Sequence, residues 1–204
     1  CHTQGVTPVN ETVQVLPLSF DLSALLRQSV ATFYSHLVTR PTGQALRLGI
    51  ESQIGECDRP VLSILDFTQV VVLDYSCADE TVAKLLLRYQ NSGRTTAAYF
   101  LARGVGERHR EPIEAVLHRH GLALGALLDD GERTLLGQAS PLEAAAWTVV
   151  DRLGRATPDD VAAATGMDAA EAATALDSLA RRGLLFAPGD DGGFYPLSSL
   201  LRGP

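Results

Sequence analysis

The sequence predicts an α/β domain, a mixed sheet with packed helices, followed by a small module of three helices and a β-hairpin. Three observations predict it. Short apolar runs bounded by Pro, Gly or polar residues alternate with amphipathic stretches as far as about residue 138. Beyond that point three helix-start signals recur in close succession. The chain has 204 residues, 46% of them hydrophobic, which suffices to bury a sizeable core.

Residues 1 to 11 are polar, carry Gly and Pro, and read as a loose tail. Val13, Val15, Leu16, Leu18 and Phe20 alternate roughly, as a strand does, and Asp21 can cap a short helix over Leu22 to Arg27. The segment 28 to 41 fits helix or strand. Thr42-Gly43 opens an amphipathic helix with Leu46, Ile50 and Ile54 at four-residue spacing. PVLSILDF (60 to 67) is a short apolar run and reads as a central strand. A second run, Val70 to Leu73, ends at Asp74. A helix follows from about Cys77 to Asn91, with Val82, Leu85, Leu86 and Tyr89 inward and Gly93 as its stop. Thr96 to Ala102 reads as a further central strand. Glu111-Pro112 starts the next helix, with Ile113, Val116 and Leu117 inward. Ala123 to Leu128 and Thr134 to Leu136 flank Asp129-Asp130-Gly131, a hairpin signal. Strands alternating with helices imply βαβ units.

In the tail, Ser140-Pro141 with Glu143 and Thr157-Pro158 with Asp160 are capping boxes with Pro at the first helical position. Asp168 with Glu171 is a third. Gly154, Gly166 and Gly183 fall just past the matching helix ends. Leu184 to Ala187 and Phe194 to Leu197 read as strands around a Pro-Gly-Asp-Asp-Gly-Gly turn. Three short helices and a hairpin are the winged-helix plan. The reading therefore divides the chain into an α/β domain over 12–138 and a winged-helix domain over 139–204.

Bulk composition narrows the function classes. The formal net charge is −7, which disfavours nucleic-acid binding by overall electrostatics. Lys84 is the sole lysine among 17 basic residues, a usage that fits a GC-rich bacterial coding sequence. Three cysteines (Cys1, Cys57, Cys77) without regular spacing argue against a disulfide framework and for a reducing, cytoplasmic setting. No CxxC occurs, no apolar run is long enough to span a bilayer, and a membrane partner is not expected. Cys1 reads as a truncation edge in preference to an acylated residue. No GxSxG, HExxH, GxGxxG or Walker pattern is present, so the expectation is a protein that is not an enzyme and needs no cofactor.

The segment LDFTQVVVLDYSCADE (65 to 80) resembles the signature loop of STAS domains of the anti-sigma-factor-antagonist type. In that family a strand ends in an Asp, a second Asp follows eight positions later, and a hydroxyl pair and a small residue lead into a helix. Asp66, Asp74, Tyr75-Ser76 and Cys77-Ala78 occupy those positions. LVTRPTG (37 to 43), DYSCADE (74 to 80) and the DDG…LLG hairpin are similar to a STAS-like group of bacterial proteins. The resemblance covers roughly residues 12 to 130. Two departures are that Tyr75 precedes Ser76 and that Cys77 replaces the usual Gly. The resemblance implies a regulator that docks a partner protein, often an ATPase-like kinase, through this loop and helix. Ser76 is then the phosphoacceptor, with Tyr75 second.

The candidate partner-binding or phosphorylation loop is thus Asp74, Tyr75, Ser76, Cys77, Asp79 and Glu80. Read plainly, Ser76 is an N-cap bonding the amide of Asp79 or Glu80, and both acids complement the helix dipole. As a metal site the acids are too few, so no metal is expected. Cys77 and Cys57 read as small packed residues, with redox sensitivity the alternative. Arg40, Thr42 and Gly43, at a helix start, form a candidate anion site. Alternatively Arg40 pairs with a structural carboxylate such as Asp66 or Asp74. His109, His118 and His120 read as exposed surface histidines.

The third helix of the C-terminal module would be the DNA-reading helix. Its first turn offers Asp168, Ala169, Ala170 and Glu171, and the wing tip Asp190 and Asp191. Residues 140–204 hold nine acidic and five basic side chains, a net of −4. Carboxylates repel phosphates, so the module is expected to serve protein contact or homodimerisation. The alternative is a transcription regulator that binds DNA through a dimer, with Arg94, Arg152 and Arg155 contributing; Arg181 and Arg182 stand at the wrong end of the helix for base reading and suit phosphates or its negative C-terminal pole.

Overall fold

A computed structural model describes residues 15–29, 36–37, 39–90, 98–189 and 191–201. Cys1, Val13, the ambiguous stretch 30–35, Gly93, Arg94, Thr96 and Asp190 lie outside them.

The chain runs β1 (Leu16–Asp21), α1 (Leu22–Ser29), β2 (His36–Leu37), α2 (Arg40–Gly55), β3 (Val61–Asp66) and β4 (Val72–Leu73). Next come α3 (Tyr75–Ala78), a π-helical turn (Asp79–Ala83), α4 (Lys84–Gln90), β5 (Ala98–Val105), α5 (Glu107–His120), β6 (Ala123–Leu128) and β7 (Arg133–Gly137). The C-terminal part holds α6 (Pro141–Leu153), α7 (Pro158–Thr165), α8 (Ala169–Arg181), β8 (Leu185–Phe186), β9 (Tyr195–Pro196) and a 3₁₀ turn (Leu197–Leu201). β1, β3, β5 and β6 are parallel and β7 closes the sheet antiparallel, in the order β1-β3-β5-β6-β7. This is the mixed α/β sheet that the sequence predicts. β2 and β4 form a separate parallel pair beside it.

Pattern and packing agree. In β3, Val61 and Leu65 face the core shared with Leu46 and Ile50 of α2, Leu85 of α4, and Ile113 and Leu117 of α5. Leu62 and Ile64 face the opposite way and meet Leu101, Leu197, Tyr99 and Phe186. A central strand buried on both faces needs cover on both, which explains its unbroken apolar run. The N-terminal helices supply one layer. The C-terminal module supplies the other, with Trp147 and Leu185 in a cluster that reaches Ala123 and Leu135 of the sheet. Gly125 makes room for this, since a Cβ there would lie 3.3 Å from Leu101. Two polar ties accompany the docking: Arg133 Nε to Asp151 at 3.1 Å, and Arg182 to the Gln138 carbonyl at 2.6 Å.

The expected caps form. Ser140, Thr157 and Asp168 accept from the amides of Glu143, Asp160 and Glu171, each reciprocated by the acid's side chain. An isolated bridge joins Ala156 to Phe194 beside the β8–β9 hairpin. One helix start differs from expectation. α5 begins at Glu107, and Pro112 lies inside it. Its start is fixed by Gly106 and His109, not by Glu111-Pro112.

Candidate functional site: the loop and helix of residues 66–80

Asp66 ends β3 and turns the chain. Its Oδ1 accepts from the Thr68 amide at 2.9 Å, and its other oxygen holds Arg103 on β5. Burial alone would raise this carboxyl, but the bonds from Thr68 and Arg103 keep it below the usual carboxylate range. Gly104 has φ +66, and a Cβ there would sit 2.3 Å from Thr68 Oγ1, so this crossing needs a glycine. The chain then returns through Val70, whose carbonyl takes the His109 Nε2 proton at 2.7 Å. His109 Nδ1 accepts from the Gly106 amide at 3.2 Å, so one neutral ring ties the loop to the start of α5. His109 is therefore buried and not a surface residue, because its two nitrogens satisfy two backbone groups inside the fold.

Asp74, not Ser76, caps α3. Its Oδ1 accepts from the Cys77 amide at 2.8 Å, and Ser76 Oγ donates to the same carboxylate at 2.9 Å. A carboxylate one position before the helix reaches the free amides better than a hydroxyl already inside the first turn. Tyr75 points outward and donates to Glu111 of α5 at 2.7 Å. Cys77 is buried, and burial pushes its thiol up to about 11, next to Thr81 and under the charges of Asp74 and Glu80. A thiol so placed stays protonated and is a packing residue. Cys57 is half-buried and its Sγ meets the Gln53 carbonyl at 3.4 Å.

Asp79 and Glu80 do not form an acidic surface. The π turn buries all five of its residues, carboxylates included. Arg40 reaches Asp79 at 3.2 Å and Glu80 at 2.9 Å. Lys84 also bonds Glu80, Arg47 approaches it at 3.5 Å, and His120 Nε2 meets Asp79 at 2.8 Å. Arg47 and Arg88 share Glu51 at 2.9 and 3.3 Å. Burial would raise Asp79 and Glu80, but the side-chain bonds from His120 and Arg40 to Asp79, and from Lys84 and Arg40 to Glu80, hold both below the usual range. The anion at the start of α2 is therefore the protein's own Glu80, and Arg40 is paired there and not with Asp66 or Asp74. Thr42 bonds the Thr39 cap through both its amide and its hydroxyl. Gly43 lets the helices meet: a Cβ would lie 2.9 Å from both the Cys77 carbonyl and Glu80 Cβ.

The structure thus joins the two sequence-designated sets through Arg40 with Asp79 and Glu80 and through Gly43 packed on Cys77, while Asp74, Tyr75, Ser76 and Thr42 make separate bonds. Sequence reasoning missed Arg47, Glu51, Lys84, Arg88 and His120. The four-residue spacings Arg47–Glu51 and Glu80–Lys84 carried a signal for part of this set. The segment's large exposed hydrophobics are Val71 (42% exposed), Val72 (40%) and Tyr75 (49%), which follow the exposed polar pair Thr68 and Gln69. Beside them, at the carboxyl ends of β3, β5 and β6, lies a cleft of about 510 Å³ lined by Thr68, Arg103, Arg108, His109 and Asp129 among others. Among the described residues no group of His, Cys, Asp or Glu could hold a metal ion. No described helix is long and apolar enough to cross a membrane.

In the C-terminal module, Arg155 is held by Asp191 at 3.1 Å and Arg182 by Glu143 at 3.1 Å. His118 is exposed near Glu114. No protein-family model, curated protein or solved structure matches the chain.

Proposed function

We propose that this chain is a non-catalytic bacterial signalling protein. Its STAS-like domain docks a regulatory protein partner, an ATPase-like kinase being the class the resemblance implies. Its winged-helix module serves assembly and protein contact. The observation that carries the reading is the exposed Val71, Val72 and Tyr75, presented on a segment whose own charges are paired inward. Isolated apolar residues on a surface need no explanation, but three within five positions next to a cleft suit an interface. The reactive groups of the segment are quenched by the same arrangement: the thiol is protonated, the histidine neutral and bonded, Asp66, Asp79 and Glu80 ion-paired, and Asp74 engaged as a helix cap. That favours recognition over turnover.

DNA binding is the competing outcome. Asp168 and Glu171 at the head of α8 repel phosphates, and Arg155 and Arg182 are engaged by carboxylates. The test is twofold. Affinity purification from the native cells with wild type and with Val72→Asp should recover a partner that the variant loses. A fluorescent random duplex at physiological salt should give no saturating anisotropy change. Submicromolar duplex binding, or a partner retained equally by Val72→Asp, overturns the proposal.

A further inference from the structure

The outer side of the C-terminal module carries a groove of about 540 Å³ between the starts of α6 and α8. Leu142, Ala170 and Ala175 give it an apolar floor, and Leu142 is 42% exposed. Asp168 and Glu171 stand exposed on its rim, and Glu143, which also lines it, is paired with Arg182. We infer that this groove docks a basic amphipathic segment of a partner protein, its apolar side chains on Leu142 and its Arg or Lys residues on Asp168 and Glu171. The inference rests on the reading that the module makes protein contacts, and names the chemistry of the partner at that site.

Three features select this occupant. The module has a net charge of −4, so the field around the groove attracts cations and repels nucleic acid or an anionic membrane. The rim carboxylates are already fixed in place, because each completes the cap of α8: Glu171 N donates to Asp168 at 2.7 Å and Asp168 N to Glu171 at 3.2 Å. Preorganised acceptors lose little side-chain entropy on binding. The alanines of α8 let a second helix approach closely, as helix-in-groove recognition requires.

The probe is a fluorescent helical peptide with leucines at three- and four-residue spacing and arginines flanking them. The control keeps the leucines and replaces every arginine with glutamate. With the intact chain, the basic peptide is expected to bind saturably and at least tenfold tighter than the acidic one. Its affinity should fall severalfold between low and high salt. Thr174→Arg, an exposed change that touches neither cap, should weaken binding at least tenfold while leaving the circular dichroism melt in place. Amide shifts in the bound state should cluster over 140–143 and 168–178. No saturable binding, equal binding of the two peptides, or shifts centred on Val71 to Tyr75 overturn this inference and leave the module's wider role untouched. Tight duplex DNA binding by the wild type would instead remove the reading beneath it.

Discussion

His109 offers the sharpest test of how the loop of residues 67–71 is held. The ring is 4% exposed, donates to the Val70 carbonyl at 2.7 Å and accepts from the Gly106 amide at 3.2 Å. Both bonds require the neutral ring with its proton on Nε2. Protonation would point an N–H at the Gly106 N–H and strand a charge in the core. Burial accordingly lowers the pKa of His109, against a weaker opposite pull from the Val70 carbonyl. In the unfolded chain the ring titrates near ~6.5. Between the two values the unfolded state binds more protons, so stability rises with pH. The slope is at most about 1.4 kcal/mol per pH unit for one group. The contribution is complete above ~6.5 and is lost as pH falls through the folded value. His109→Phe keeps the ring packing against Phe67, whose centroid lies 5.8 Å away, but leaves two buried backbone groups unpaired. That should cost about 2–3 kcal/mol at neutral pH. Urea unfolding of both proteins from about pH 8 to about pH 5 isolates the ring, because every other ionisable side chain is the same in both. The stability gap should be widest at high pH and narrow on acidification. Parallel curves across the whole range would refute the argument.

Glu80→Gln removes the carboxylate that faces Arg40, Arg47 and Lys84. Because Arg40 and Lys84 are half-exposed and can rehydrate, the loss should be about 2 kcal/mol, below the ~3–5 typical of a broken buried pair. An unmoved urea midpoint would contradict the network. Gly43→Ala places a methyl 2.9 Å from the Cys77 carbonyl and Glu80 Cβ, where it must push α2 off the π turn. A loss of about 1–3 kcal/mol is expected in thermal melts, and a neutral result would mean that the crossing is looser than described. Trp147, the sole tryptophan, is buried between the module and the sheet and reports their docking. In the wild type its fluorescence and the far-ultraviolet dichroism should lose structure together. Leu197→Asp should shift Trp147 emission to the red, and two separate transitions in the wild type would show independent folding of sheet and module.

Much of this architecture was legible because its determinants are local. The caps Ser140, Thr157 and Asp168, the Gly131 turn and the apolar run of β3 each state their structure within a few residues. The start of α5 was not, since Gly106 has no side chain to signal a cap and the stabilising histidine sits three residues later. Nor was the pairing of β2 with β4, which joins two short segments across α2 and β3. The burial of Leu62 and Ile64 required a second covering layer, but nothing in their spacing said that Leu197 and Phe186 would provide it. At the site, Asp74 and the residues after it form one capped helix start. The direction of Asp79 and Glu80 was not legible, because the cations and the imidazole that receive them come from Arg40 and His120, about forty residues away in sequence.

The inward turn of those two acids changes how a phosphate on this loop would act. Ser76 Oγ donates to Asp74, and the same carboxylate caps α3 by accepting from Cys77 N. A phosphoryl group on Ser76 would convert that donor into close to two negative charges beside Asp74. The repulsion would fall on the cap itself, so α3 and the Tyr75–Glu111 bond one residue away would have to rearrange. Val71 and Val72 lie on the strand and turn that lead into that cap. A switch here would thus act by reshaping an apolar surface. An acidic partner site, by contrast, would have been masked by added charge with no change of shape. The buried ion network supports the first mechanism, since Asp79 and Glu80, directly after α3, tie the helical stretch to α2 while Tyr75 at its start remains exposed.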